Sequence, residues 1–543
     1  MLHVDLIAPI ATLLERHAKS RPEQVAYWDS TRSVTYAQLA DRTASIAANL
    51  TTAGLNEGDR LVIYLPNGVD WIEACFAALR AGAVVVPISF DAAEGEVSYR
   101  LTDADCGFVV TAGARKDLLE KICRDQHISP TVIFAGDDAD GAGVSMADLA
   151  KARGVASFDP DDIDRSSFII YTSGTTGRAK GVLLSIRGML WISAACWAPI
   201  GELTSRDVIL SPLPLFHSYG LNLSVLGVLA VGASEHIMER FSPQQALELL
   251  QTGKYSLMPG VPTMFHYLLL RAQEAGIERL GAVRLCISAG AIMPATLNEA
   301  FESRFKTRLL DGYGITETST MVTMNWLHGG RPMGSCGLPV PGLAVRIVDP
   351  SSLEDVPFGE EGELIVRGPN LMQGYHNKPA ETASALRKGW YHTGDLAKSD
   401  PSGYLTITGR IKELIIRGGQ NIAPAEIEEV VVKYPQVRDC AVVGLRHATL
   451  GEVPCLFVVA KDGAFDIPGL LEHCRAQLSA YKIPEYTHLV AEIPRTGSGK
   501  IMRFKLVEAL SNQACAARAV SLRSADQARR RISGRRRDDT ACR

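Results

Sequence analysis

The chain of 543 residues has no surplus of charge: 56 Lys and Arg stand against 60 Asp and Glu, a formal net charge of −4. So balanced a chain has no global field to draw it to a polyanion, and no nucleic-acid partner is expected. None of the eleven cysteines, spread from Cys75 to Cys542, falls in a CxxC pair, which argues against a zinc ribbon or a thioredoxin-type motif. Buried thiols in a reducing cytoplasm are the expectation instead. The longest apolar run, Leu221–Ala233, contains Asn222 and Ser224 and is too short to span a bilayer, so no transmembrane segment is expected. The first residues, with Asp5, Glu15 and Arg16, lack the basic start and unbroken apolar core of a signal peptide, which points to a cytoplasmic location. No internal repeat is visible. What is present, 46% hydrophobic and 21% charged residues, is globular composition, and the length exceeds one ordinary core.

The first 400 or so residues alternate helical patterns with short β-branched runs. Thr35–Leu50 and Val69–Leu79 read as helices. Asp59–Leu65, Ala83–Ile88, Gly107–Thr111, Thr131–Phe134 and Ser167–Tyr171 read as strands, which implies parallel sheets with helices on their faces. From Gly342 the texture changes to short strands, Leu343–Val348, Gly362–Val366 and Tyr404–Ile407, separated by turn-rich segments: a smaller β unit. After Gly409-Arg410-Ile411-Lys412 a compact unit follows, with helices at Pro424–Lys433, Pro468–Leu478 and near Phe504–Leu510 and strands at Asp439–Gly444 and Glu452–Ala460. The expected fold is α/β: a large N-terminal domain of stacked sheets with its small β unit (1–410), then a small α+β domain (411–510). Residues 511–543 hold nine Arg and three Asp, a net +6 that leaves −10 for residues 1–510. That tail reads as a disordered, dispensable extension.

One segment stands out chemically. Tyr171-Thr-Ser-Gly-Thr-Thr-Gly-Arg-Ala-Lys180-Gly181 follows the apolar strand. Its glycines let backbone N–H groups approach an anion, and its hydroxyls and lysine add donors, a chemistry suited to phosphate. It is not a Walker A loop, nor is Gly497-Ser-Gly-Lys500, where Pro494 stands at the first glycine position and Ile501 follows the lysine. On spacing alone, phosphate binding and a plain loop both remain open.

The full string resembles the signature loop of the ANL superfamily: acyl-CoA synthetases, peptide-synthetase adenylation domains and firefly-type luciferases. Further signatures of that family follow in order: Pro214-Leu-Phe-His217-Ser-Tyr-Gly220, Ser288-Ala-Gly-Ala291, Asp311-Gly-Tyr-Gly-Ile-Thr-Glu317, Gly362-Glu-Leu364, Tyr391-His-Thr-Gly-Asp395, Gly409-Arg410 with Gly418-Gly419, and Pro494-Arg-Thr-Gly-Ser-Gly-Lys500. The resemblance covers about residues 10–510 and implies two half-reactions. A carboxylate attacks the α-phosphate of ATP to give an acyl-adenylate and pyrophosphate, and a thiol then displaces AMP to give a thioester.

By this resemblance Thr172, Ser173, Gly174, Thr175, Thr176, Gly177 and Lys180 form the phosphate loop, with Thr176 counted among the catalytic residues. Glu317 holds Mg²⁺. Asp311, Gly312, Tyr313, Gly314 and Thr316 belong to the adenine-binding segment, Tyr313 stacking on the base with Gly290 and Ala291 opposite. Asp395 accepts from the ribose hydroxyls, and Arg410 reaches the ribose. Lys500 neutralises charge in the adenylation transition state. Lys412 is the hinge of a mobile small domain that brings the Gly418-Gly419 region to the thioester site. His217 lines the acyl pocket or its gate.

Amino-acid-activating relatives keep an Asp soon after the His217 segment. Here Leu221–Leu226 holds no acid, and no Arg stands in Ser288–Pro294 to pair a second carboxylate. An apolar acid, fatty or aryl, is therefore expected, with Asn222, Thr320 and Asn325 left as partners for a hydroxyl. No insertion interrupts Met372–Leu396, which favours coenzyme A over a carrier-protein phosphopantetheine as acceptor. A non-catalytic nucleotide-binding relative is opposed by intact Lys500, Glu317 and Asp395, and a luciferase-like oxygenase is a remote alternative.

Overall fold

In the computed structural model, the described residues are 2–135, 144–151, 157–172, 179–418, 420–447, 449–461, 465–496 and 500–510. Ser173, Gly174, Thr175, Thr176, Gly177, Gly419 and the basic tail 511–543 thus lie outside them. The chain divides into two compact units, Met1–Thr408 and Gly409–Arg543.

The first unit is built on two large sheets. The eight-stranded one runs in the order Gly374–Tyr375, Lys180–Ser185, Ser166–Thr172, Val84–Pro87, Arg60–Tyr64, Phe108–Thr111, Thr131–Phe134 and Val144–Ser145. Its middle strands pair in parallel, Arg60–Tyr64 lying between Val84–Pro87 and Phe108–Thr111. Such strands are covered on both faces, which is why Val84–Pro87 and Phe108–Thr111 are buried throughout and read as unbroken apolar runs. The nine-stranded sheet holds Arg308–Tyr313, Leu285–Ser288, Leu257–Gly260, Val208–Ser211 and Ser234–Ile237 in parallel at its centre. The N-terminal hairpin Val25–Trp28 and Ser33–Thr35 extends it at one edge.

Helix Tyr36–Thr52 starts at a capping box, in which Thr35 Oγ1 accepts from Gln38 N–H and Gln38 Oε1 accepts from Thr35 N–H. Helix Val69–Arg80 is buried along its length except at Asp70. Its one acid there with no exposure, Glu73, is held below the usual carboxylate range by Arg42 and Arg32, which outweigh the desolvation that opposes them. The small β unit is a five-stranded sheet of Ala344–Val348, Gly362–Arg367, Trp390–Ser399 and Leu386–Arg387, with Leu405–Arg410 against Trp390–Ser399.

The apolar run Leu221–Ala233 is no ordinary helix. It winds as a π-helix over Leu221–Gly227 before an α-turn at Val228–Val231. A second π segment, Ser193–Trp197, meets it where Trp197 Nε1–H donates to Asn222 Oδ1 at 2.7 Å. π turns are uncommon and concentrate at functional sites.

The second unit is a five-stranded sheet of Gln420–Ile422, Ile415–Arg417, Gly451–Ala460 and Val437–His447, with Tyr486–Leu489 beside Gly451–Ala460. Helices Pro424–Val431 and Ile467–Arg475 pack together. A last helix covers 503–510. The nine described cysteines are all unpaired, and burial pushes the Cys106 and Cys455 thiols up to about 12.

Candidate functional site

Strand ends of the first unit carry most of the predicted residues. Strand Ser166–Thr172 ends at Thr172, whose antiparallel partner is Lys180 at the start of Lys180–Ser185, so the phosphate-loop string joins two neighbouring strands. Strand Arg308–Tyr313 carries Asp311, Gly312 and Tyr313 and runs into Gly314 and the short 3-10 turn Thr316–Thr318 that holds Glu317. Gly314 is dictated by close approach: a Cβ there would lie 1.3 Å from the Thr320 carbonyl oxygen. Gly290 and Ala291 follow strand Leu285–Ser288, and Gly290 takes φ +89, the left-handed region glycine tolerates.

Beyond Glu317 the backbone is strained. Ser319 has φ 52 and Thr320 φ 110, a value rare for a β-branched residue. Buried side chains hold this turn. Asn370 Nδ2–H donates to the Thr318 and Met321 carbonyls at 2.8 and 3.1 Å. Asn222 Nδ2–H donates to Ser319 O at 2.9 Å, and Thr320 Oγ1–H to Ser218 O at 3.0 Å. The backbone N–H of Met372 donates to Glu317 O at 2.8 Å.

The Glu317 carboxylate accepts a bond on Oε1 from the Tyr375 hydroxyl at 3.0 Å. Its other oxygen makes no hydrogen bond among the described residues. The Lys180 ammonium lies 4.9 Å from the centroid of the same Tyr375 ring. Burial and the Glu317 charge push the Tyr375 phenol above its ordinary pKa. No cluster of three His, Cys, Asp or Glu able to cage a metal exists among the described residues. A lone carboxylate with an open oxygen instead suits Mg²⁺, which keeps waters and shares its ligands with substrate phosphates.

Asp395, 2% exposed on strand Trp390–Ser399, accepts on Oδ2 from the Tyr313 hydroxyl at 2.5 Å. Its N–H is held by Thr393 Oγ1. Asp311 is buried, and desolvation drives its carboxyl well above the usual range. His217 caps the helix Ser218–Gly220, its Nδ1 accepting from Tyr219 N–H at 3.3 Å, and the next residue, Ser218, is 3.2 Å from Thr316, hydroxyl to hydroxyl. The structure therefore brings the His217, Asp311–Glu317 and Tyr375 segments together.

The hydroxyl partners offered by the sequence are differently employed. Asn222 spends its amide on Trp197, Met189 O and Ser319 O. Thr320 donates to Ser218 O, and Asn325 Nδ2 is taken by the Asp311 and Ser335 carbonyls. Of the donors on these three side chains, each is committed to the backbone.

The remaining predicted residues belong to the second unit. Arg410 ends strand Leu405–Arg410, and Lys412 lies in the 3-10 turn Ile411–Glu413. Gly418 takes φ 57. Thr496 N–H donates to Lys500 O at 2.8 Å, and Lys500 N–H to Thr496 Oγ1 at 3.1 Å. Tyr375 and Asn370 are the site residues that sequence reasoning passed over. Tyr375 stood in plain view after Gly374 at the head of the uninterrupted span to Trp390, but nothing local ties it to Glu317.

Residues 14–376 match the family model of the AMP-binding enzyme, and residues 426–500 that of the AMP-binding enzyme C-terminal domain. A feruloyl-CoA synthase of Amycolatopsis is 33% identical over 490 residues, covering 90% of this chain and 96% of that protein. A long-chain-fatty-acid–CoA ligase of Yersinia pestis is 32% identical over 534 residues, covering 92% and 94%. The crystal structure of ATP-bound MatB from Rhodopseudomonas palustris superposes with a TM-score of 0.84 at 31% identity, covering 92% and 98%.

Proposed function

We propose that this chain, which belongs to the AMP-binding enzyme family and is an ATP-dependent, AMP-forming acid–CoA ligase, activates an apolar acid, aryl or fatty, and uses Mg²⁺. The observation that carries the choice of acid is the commitment of the Asn222, Thr320 and Asn325 donors to backbone carbonyls, together with the segment around Asn222, Leu221–Gly227, which is wholly buried and otherwise apolar apart from Ser224. An acid bearing a second charge would find no charged partner there. The acceptor is coenzyme A, as the names of both relatives have it, rather than a carrier protein.

In this reading Thr172, Lys180 and the loop between them bind the ATP phosphates. Glu317 would hold Mg²⁺ through its open oxygen; the ion, when bound, neutralises charge on the phosphate oxygens. Tyr313 stacks on adenine, with Gly290 and Ala291 on the other face. Asp395, already an acceptor for Tyr313, takes the ribose hydroxyls, helped by Arg410. Lys500 stabilises the charge that builds as the carboxylate attacks the α-phosphate. Lys412 is the hinge of the small domain, and Gly418-Gly419 serve the thioester step. His217 borders the acyl group.

Acid-dependent pyrophosphate exchange across aryl, fatty, amino and dicarboxylic acids tests the assignment. Exchange is expected with aryl or fatty acids and not with amino acids or dicarboxylates; the opposite preference would remove it. No helix among the described residues is long and apolar enough to cross a membrane.

A further inference from the structure

Lys180 begins a strand of the eight-stranded sheet and Glu317 sits in the turn after a strand of the nine-stranded one, yet both meet one side chain. Tyr375 puts its hydroxyl on Glu317 Oε1 and its ring under the Lys180 ammonium. The residue is 8% exposed and is held from several directions. Its strand pairs with the one that begins at Lys180, Tyr375 facing Val182 and Gly374 facing Leu183. Its own N–H donates to Thr382 Oγ1 at 2.9 Å, and His376 N–H donates to Gly181 O at 2.7 Å. Three residues before it, Met372 N–H holds the Glu317 carbonyl. The segment from Met372 to His376 is thus bonded on one side to the exit of the phosphate loop and on the other to both the backbone and the carboxylate of Glu317.

We propose that Tyr375 is a positioning residue for the phosphate–cation end of ATP, setting the Glu317 carboxylate and the Lys180 ammonium in place before the nucleotide binds. The inference rests on the assignment of Glu317 to Mg²⁺ made above. A phenol that donates to Oε1 settles the rotation of the carboxylate and leaves Oε2 to face a cation. The ring limits the rotamers of a lysine that otherwise loses much entropy on binding. Arrangement in advance of this kind raises affinity by lowering the cost of ordering. Tyr375 touches neither acid nor nucleotide in this account, so it acts only through its two partners.

The test compares Tyr375→Phe, Glu317→Gln and the double variant in the full-length enzyme. Two quantities are read: the Mg²⁺ concentration giving half-maximal pyrophosphate exchange, and Mn²⁺ binding followed by electron paramagnetic resonance with a non-hydrolysable ATP analogue present. Tyr375→Phe keeps the ring and loses one hydrogen bond to a charged group, so both constants should rise about tenfold, with a smaller change in the rate at saturating Mg²⁺. The double variant should be no worse than Glu317→Gln alone, because the hydroxyl works through that carboxylate. Tyr375→Leu should in addition raise the KM for ATP above that of Tyr375→Phe, since Lys180 loses its ring. Wild-type Mn²⁺ affinity in Tyr375→Phe, with Glu317→Gln weakened, overturns the role of Tyr375 and spares that of Glu317. Wild-type affinity in Glu317→Gln overturns both. Losses that add in the double variant would also contradict the proposal.

Discussion

Around Glu317, in the first unit, side chains from distant parts of the chain converge on a few residues of strained backbone: Asn222, Asn370 and Tyr375, with Thr320 reaching back to Ser218. Around Lys500, in the second unit, short-range backbone bonds join the described residues: the Thr496–Lys500 pair, the bridge between Arg495 and Ile501, and Met502 N–H to Pro494 O. Ion pairs tie the segment to the rest of its own unit, Arg495 to Asp439 and Arg503 to Glu428 and Glu413. A turn with φ 110 at a threonine persists only where its surroundings over-determine it. One charge is thus set by side chains remote in sequence, and the other is carried beside short-range backbone bonds. Remote substitutions should disturb the first and leave the second alone.

Removing the carried charge should have the largest effect. Lys500→Ala is expected to slow adenylate formation by about a hundredfold to a thousandfold while sparing thioester formation from supplied acyl-AMP and CoA. Rapid-quench measurement of each half-reaction checks this, and equal loss of both would remove the division of labour. Next, Asp395→Ala should raise the KM for ATP by about tenfold or more if Asp395 holds the ribose as proposed, with steady-state kinetics as the readout. Asn370→Ala strands the Thr318 and Met321 carbonyls in the core and should cost about 2 kcal/mol, read as a lower denaturant midpoint. If the comparison holds, it also slows adenylation without touching the thioester step. An unchanged midpoint would mean the strained turn needs no clamp.

The smallest effect concerns Glu235, a fully buried acid of the nine-stranded sheet. Desolvation raises its carboxyl well above the ordinary 4.5, with Ser224 acting weakly against it. A raised folded pKa means that stability is fully present below 4.5 and is lost as pH climbs toward the folded value. Glu235→Gln should therefore raise the melting temperature by about 1–2 °C at pH 8 and leave it unchanged at pH 4, as calorimetry would show.

Much of this was legible in the sequence, for a physical reason. Parallel strands such as Val84–Pro87 advertise themselves by unbroken apolar runs, and the motif glycines and charges sit at strand ends. What was hidden depends on contacts remote in sequence. The clamp by Asn370 acts on backbone carbonyls 49 and 52 residues away, and a carbonyl has no sequence signature. The π turn at Leu221–Gly227 is hidden because uniformly apolar residues do not reveal which helical period they follow. Asn222 looked like a pocket group because nothing local shows its partners, Trp197, Met189 and Ser319. Ser319 and Thr320 likewise gave no hint of positive φ, since neither is a residue that commonly adopts it.

The most direct test of the whole account is the stoichiometry of the complete reaction in the full-length enzyme. With ATP, Mg²⁺, CoA and an aryl or fatty acid, AMP, pyrophosphate and acyl-CoA should appear in equal amounts, with acyl-CoA absent when any one component is withheld. Pyrophosphate release that leaves free CoA unconsumed, or no acid-dependent AMP for any acid of either class, would contradict it.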